Sequence, residues 1–373
     1  MLPESSGSKI QGARVSAFTI PTDQPESDGT AEWDSTTVLI VELNAGEATG
    51  LGLSYTNTAA AYVAQELIQR EVLGRDPCEI SRIHSAMDRR VRNWGRPGLV
   101  STAISAIDIS LWDLKSRLLQ CPLINLLGKI RDEIPAYGSG GFTSYTESQL
   151  VDQLTNWASR GLRFMKMKVG REPDKDIQRA SLVQKALNGA AELYVDANGA
   201  YRRKQAMEKC RQFADLGVTW FEEPLTSDDR SGLQLMVQHA PPPIRIAAGE
   251  YCYVPDDARL LIEAQAVDVL QADVTRCGGI TNFLKIADAA ELWHLPLSAH
   301  TAPSIHTGLC CAVAPALNVE YFCDHSRIEE MIFDGAIHPV NGNLRPDLSR
   351  PGLGLELKRK EAHRFSAFSA QLG

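Results

Sequence analysis

Phe164-Met165-Lys166-Met167-Lys168-Val169-Gly170 is an apolar run of strand length that carries two lysines two positions apart. Side chains alternate across a strand, so Lys166 and Lys168 share one face while Met165, Met167 and Val169 share the other. Two ammonium groups held side by side in a partly buried place repel. That predicts a lowered proton affinity and a lysine able to act as a base near neutral pH.

Outward from this strand, the chain alternates short apolar segments with amphipathic helical ones from about Ile134 onward, the pattern of a parallel sheet. Strands are expected at 134–137, 164–169, 193–195, 218–221, 245–248, 267–271, 295–298 and 317–319. Repeats of roughly 20 to 30 residues suit strand-loop-helix-loop units, and eight of them predict a closed barrel rather than an open doubly wound sheet. No G-x-G-x-x-G or G-x-x-x-x-G-K-[ST] follows any of them, which removes dinucleotide and P-loop readings.

The N-terminal part reads differently. Residues 1–8 are polar and rich in Ser and Gly, so a frayed end is expected. Runs 10–20 and 36–43 are rich in β-branched residues and predict strands, joined by a long polar loop at 21–35. A polar turn at 50–58 precedes helices near 59–72, 79–91 and 101–119, the last with Ile104, Ile107, Leu111 and Leu114 as one apolar stripe. Together these make a small α+β domain.

A chain of 373 residues with 44% hydrophobic content can bury one large barrel and a smaller domain. Its 38 basic against 46 acidic residues argue against a sequence-independent grip on nucleic acid or an anionic membrane. An anionic substrate must therefore be held by local cations. Residues 1–15 lack a signal-peptide layout and no run has the length of a membrane span, so a cytoplasmic protein is expected. The eight cysteines form no C-x-x-C pair, and Cys310 and Cys311 read as buried thiols rather than as disulfide or zinc ligands.

Barrel enzymes carry their reacting groups just beyond the carboxyl ends of the strands. Here the second strand ends in Lys166 and Lys168, the third in Asp196-Ala197-Asn198, the fourth in Glu222-Glu223 and the fifth in Gly249-Glu250; Asp273, His300 and Glu320 follow on the sixth to eighth. Asp196, Glu222 and Glu250 come from adjacent strands, so their carboxylates can converge. Three such anions call for a hard, oxygen-preferring dication, and with no His or Cys in the set Mg²⁺ is favoured over zinc. Chemistry alone leaves Glu222 against Glu223 open; Glu222 is the choice carried forward. Asp273 can accept the imidazole N–H of His300, fixing its tautomer and leaving the other nitrogen as an acid or base. His306, His294 and His239 lack such a partner and read as structural.

In this order the residues resemble the enolase superfamily, mandelate racemase subgroup, over nearly the whole chain. Lys166-Met167-Lys168 resembles the K-x-K base motif, Asp196, Glu222 and Glu250 the metal ligands, Asp273 with His300 the Asp-His dyad, and Glu320 the acid beside the substrate carboxylate. Residues 106–115 followed by Leu126-Leu127-Gly128 are similar to the segment that leads into the barrel. The resemblance implies a (β/α)7β barrel at about 131–332 under an α+β cap at 1–130, and a segment 333–373 returning to that cap. It also implies that loops 21–35 and 50–58 close over the site.

The implied activity is Mg²⁺-assisted removal of the proton beside a carboxylate. Lys168 and His300 are the expected bases, and Lys166, Glu320 and Asn198 the expected substrate contacts. Glu320 is expected to be protonated so that it can donate to the substrate carboxylate. A polar 21–35 loop with Trp33 as its one large ring favours dehydration of a polyhydroxylated acid, an aldonate or aldarate. Racemisation, epimerisation or lactone cycloisomerisation would use the same residues, and a sugar-acid binding protein on this barrel would not need two bases. The small-molecule acid is the expected partner, in a homo-oligomer.

Overall fold

The computed structural model describes residues 9–373; the frayed end expected at 1–8 lies outside the described residues. Three antiparallel strands open the chain, β1 (Gly12–Ser27), β2 (Glu32–Ala45) and β3 (Ala48–Tyr55). The C-terminal strand Ser366–Leu372 adds to the free edge of β1, with Ala13 opposite Leu372, so the tail does return to the cap sheet.

Two segments expected as loops are strands instead. Most of 21–35 is a hairpin arm, with Pro21 opposite Ser35 and Glu26 opposite Trp33. Its polar composition hid the pairing because the arm takes its register from the β-branched run behind it and from hydrogen bonds to the barrel. Thr143 N donates to Ser27 O at 2.8 Å, and the Ser144 hydroxyl donates to Pro25 O at 2.9 Å. The expected turn at 50–58 is mostly β3. Gly50 and Gly52 sit there for closeness rather than for turning: a Cβ on Gly52 would stand 2.0 Å from Ala106 O, and one on Gly50 2.3 Å from Ser110 O.

Those carbonyls belong to α3 (Leu99–Leu118), which follows α1 (Ala59–Leu67, extended by a π turn through Val72) and α2 (Ile80–Arg90). The single apolar stripe expected on α3 is only half of its buried surface. Ile104, Ile107, Leu111 and Leu114 join the cap core with Val15 and Val41, while Ile109 packs into the barrel core. Its buried acids are satisfied across the seam: Asp108 accepts from Thr281 N at 2.9 Å, and Asp113 from Leu51 N at 2.7 Å and Leu353 N at 2.6 Å. One helix thus ties cap, barrel and tail together.

All eight barrel strands lie where the alternation places them: β4 (Ile134–Gly140), β5 (Phe164–Lys168), β6 (Glu192–Asp196), β7 (Trp220–Glu222), β8 (Arg245–Ala248), β9 (Val269–Ala272), β10 (Leu297–Ala299) and β11 (Ala316–Phe322). Each pairs in parallel with the next, and β11 closes on β4 with Val319 opposite Ala136. Seven helices cross between the eight strands, and a further helix, Cys323–Ile332, follows β11. Met165, Met167, Val195 and Phe221 face the helices, whereas Tyr137, Tyr194, Trp220, Ala247 and Val269 fill the lumen. With the lower lumen packed, ionisable side chains have room only at its carboxyl end. Cys310 and Cys311 are buried free thiols, as expected. Among the described residues no helix is long and apolar enough to cross a membrane.

Candidate active site

The strand alternation sends Lys166 and Lys168 into the lumen among carboxylates. Lys166 is fully buried; its Nζ contacts Glu222 and lies 2.7 Å from Glu320 Oε1 and 3.4 Å from Asp196 Oδ2. Lys168 Nζ donates to Asp196 Oδ2 at 2.6 Å. The lowered proton affinity expected from mutual repulsion is therefore reversed. Burial and the neighbouring ammonium do disfavour the charge on Lys168, yet Asp196 in direct contact outweighs both and holds its pKa above the ordinary lysine value. Glu222 and Glu320 do the same, more strongly, to Lys166.

Glu320 departs from expectation in the matching sense. Burial pulls its pKa up, but the adjacent Lys166 ammonium brings it down to about 2, so it is ionised rather than a hydrogen-bond donor. Its Oε2 accepts from Thr301 N at 3.1 Å.

Asp196, Glu222 and Glu250 present carboxylate oxygens that all lie within 4.8 Å of one another, each buried. The choice of Glu222 holds geometrically, since Glu222 rather than Glu223 completes this trio. Two observations show that it fits a hard dication. Glu250 Oε2 is buried without a hydrogen-bond partner, and burial, then the neighbouring Asp196, pushes the Glu222 carboxyl well above the carboxylate range even with Lys166 in contact.

Across the barrel mouth, His300 Nδ1 lies 2.8 Å from Asp273 Oδ2, and its Nε2 faces Glu250 Oε2 at 3.4 Å and Glu320 Oε2 at 3.7 Å. Burial would raise the Asp273 pKa, but the hydrogen bond from His300 and the charge of Arg276 hold it low. Asp273 therefore stays an acceptor and fixes the imidazole. The structural reading of His306 holds: its Nε2 accepts from Val274 N at 3.0 Å and its Nδ1 lies 2.7 Å from Thr301 O. His239 and His294 are exposed.

Lys168, Asn198, Glu250, His300 and Glu320 line one cavity of about 300 Å³ between barrel and cap. Asn198 donates its backbone N–H to Asp196 Oδ1 at 2.9 Å and leaves its buried side-chain oxygen without a partner. Asn198, Glu223, Thr301 and Ala302 all adopt left-handed φ angles of 37–54° just past strand ends. Such strain in non-glycine residues gathers where geometry is held for a purpose.

Sequence reasoning missed three contributors. Arg276 reaches Glu250 Oε1 at 3.3 Å and Asp273 Oδ2 at 3.5 Å; its signal was a basic residue one turn past Asp273. Tyr55 and His325 stack at 3.4 Å on the cavity wall, and a separation of 270 residues left no local signal.

Cap, closed barrel and convergent strand-end acids define a class, the enolase-type lyases and isomerases. The chain belongs to the enolase superfamily, mandelate racemase subgroup. Residues 18–128 match the mandelate racemase/muconate lactonizing enzyme N-terminal domain, and residues 149–362 the enolase C-terminal domain-like family. A mandelate racemase/muconate lactonizing enzyme-like protein from Rubrobacter xylanophilus superposes with a TM-score of 0.94 at 46% identity, covering 96% of this chain and 100% of that one. L-talarate/galactarate dehydratase from Salmonella typhimurium is 30% identical over 99% of this chain and 94% of its own. Its structure, which holds Mg and L-lyxarohydroxamate, has a TM-score of 0.92 at 29% identity over 100% of this chain and 96% of that one. 3,6-Anhydro-α-L-galactonate cycloisomerase from Streptomyces coelicolor is 32% identical over 78% of this chain and 82% of its own.

Proposed function

We propose that the protein dehydrates an acid sugar, removing the proton beside its carboxylate and expelling water from the next carbon to give a 2-keto-3-deoxy acid. The observation that carries this is the placement of Lys168 and the Asp273-supported His300 on one cavity with Glu250, the member of the acidic trio that lines it. β5 and β10 stand three places apart around the barrel, so the two bases approach from different walls.

Asp196, Glu222 and Glu250 would hold Mg²⁺, which when bound offsets the second negative charge a carboxylate gains as its α proton leaves. Lys166, clamped by Glu222 and Glu320, directs its ammonium at the same carboxylate; Glu320 acts by positioning Lys166 rather than by donating a proton. With Asp196 engaged by Mg²⁺, its hold on the Lys168 proton would weaken, so that Lys168 and His300 take up and return protons at the α carbon, and whichever base did not take the proton protonates the departing hydroxyl. Asn198 holds a side-chain oxygen ready for a substrate hydroxyl. The dehydratase among the relatives supports this reading, and so do the hydroxyl-rich cavity walls.

Cycloisomerisation or epimerisation is the second reading, favoured by the cycloisomerase among the relatives and by the presence of two bases. The experiment that separates them is incubation with Mg²⁺ and a library of aldonic and aldaric acids, with semicarbazide to report keto acids. The dehydratase reading predicts keto acid from at least one acid, loss of that product on removing Mg²⁺ with EDTA, and loss of it in both Lys168→Ala and His300→Asn. Inversion at the α carbon without keto acid from any open-chain acid would establish the second reading instead.

A further inference from the structure

We propose that the substrate carries one carboxylate only, a polyhydroxy monoacid whose far end is uncharged. The inference rests on the acid-sugar reading above and narrows it, since aldonates and aldarates differ in whether that far end is a second carboxylate.

The cations that line the cavity stand on its floor and are already matched. Lys168 is bound by Asp196 at 2.6 Å, and Arg276 lies between Glu250 and Asp273 with its guanidinium over the Tyr251 ring. His325, stacked on Tyr55, is a buried neutral imidazole, because burial holds its pKa well below the usual histidine range.

Among the described residues the roof contributes no lysine or arginine. It is lined by Ser35, Thr36, Thr37, Tyr55 and Thr56, the Trp33 indole and one acid, Asp28, with the Thr37 and Thr56 hydroxyls paired to Thr19 and Thr102 at 2.9 and 2.8 Å. Behind this wall stand further carboxyls rather than cations. Trp33 Nε1 donates to Glu26 at 2.8 Å, and the Thr36 hydroxyl donates to Asp324. Glu329 is buried close enough to Tyr55 to act on its ionisation. Arg327, on the same side, is spent on Asp324 at 2.5 Å and Pro21 O at 2.9 Å, with Asp23 at 3.5 Å.

A second carboxylate reaching this roof would be desolvated without a cation and would face Asp28. Hydroxyl groups meet the opposite situation. Serine, threonine and tyrosine hydroxyls both donate and accept, and Asp28 uses only Oδ1 inside the hairpin, for Thr30 N at 2.6 Å and Ala31 N at 2.7 Å. Its other oxygen is available to a sugar hydroxyl. The charge pattern selects the polyol end and rejects the diacid.

The test uses the full chain with Mg²⁺ and matched pairs of aldonates and aldarates spanning the pentose and hexose stereoisomers. NMR follows α-proton exchange in D₂O, and initial rates give kcat/KM. The expected result is exchange concentrated in the monoacids, with kcat/KM above the matched diacid by on the order of 100-fold. A diacid turned over as well as its monoacid would overturn this inference and leave the acid-sugar reading standing. No exchange with any acid, while Mg²⁺ binds, would overturn both. Asp28→Asn keeps the Oδ1 acceptor that closes the hairpin turn and removes the charge. It should raise the diacid-to-monoacid ratio about 10-fold; an unchanged ratio would overturn the electrostatic basis of the selection.

Discussion

Asp273 shows how one neighbour decides what a histidine can do. It accepts from His300 Nδ1 at 2.8 Å and from the Thr275 hydroxyl and N–H, each at 2.7 Å. Asp273→Asn would keep the shape and put an amide donor or a weaker acceptor against Nδ1, loosening the tautomer that leaves Nε2 free in the cavity. Turnover should fall by about 10²- to 10⁴-fold with little change in thermal stability, measured by keto-acid release and by the unfolding midpoint. The identities of these residues were legible because each stands at a strand end. Their ionisation was not. The lysine pair invited a repulsion argument, but Asp196, Glu222 and Glu320 lie 28, 56 and 154 positions downstream of their lysine partners, and only closure of the barrel brings them within contact.

At the level of elements, the eight barrel strands were readable from alternation, while the cap hairpin and β3 were not. Apolar periodicity marks a strand that buries a face, and the 21–35 arm buries little of its polar surface in a core. Glycine marks a turn or a close approach, and nothing within Gly50-Leu51-Gly52 says which. The α3 backbone across from it decides. Two substitutions check this account. Gly52→Ala would force a methyl group into the Ala106 carbonyl and should destabilise the chain by about 1–3 kcal/mol, seen as a lowered denaturant midpoint. Gly29, at the hairpin tip, would place a Cβ 2.4 Å from Ala197 O and 2.7 Å from Val169 O. Gly29→Ala should therefore lift the tip off the barrel, raising KM more than it lowers stability; an unchanged KM would mean that the hairpin does not cover the substrate.

Over the whole molecule, cap and barrel meet along a seam that holds buried carboxyls as neutral acids. Burial, then Asp324, pushes Glu26 up to about 8, and burial pushes Glu329 up to about 7, both from an ordinary value of 4.5. Between about pH 4.5 and 8 the folded chain keeps protons that the unfolded chain has released, so stability is greatest below this window and declines as pH rises through it. The unfolding temperature should fall as pH climbs through that window, and Glu26→Gln with Glu329→Gln should flatten the decline; a rise in stability with pH would contradict the seam's protonation.

The central claim is that Lys168 and His300 serve one bound carbon from two sides. Deuterium uptake at the α carbon of each epimer of the substrate acid, with Mg²⁺ present, tests it most directly. Lys168→Ala should lose exchange with one epimer and keep it with the other, and His300→Asn should show the reverse. If either variant exchanged both epimers at the wild-type rate, or if both lost the same epimer alone, the two-base assignment would be wrong.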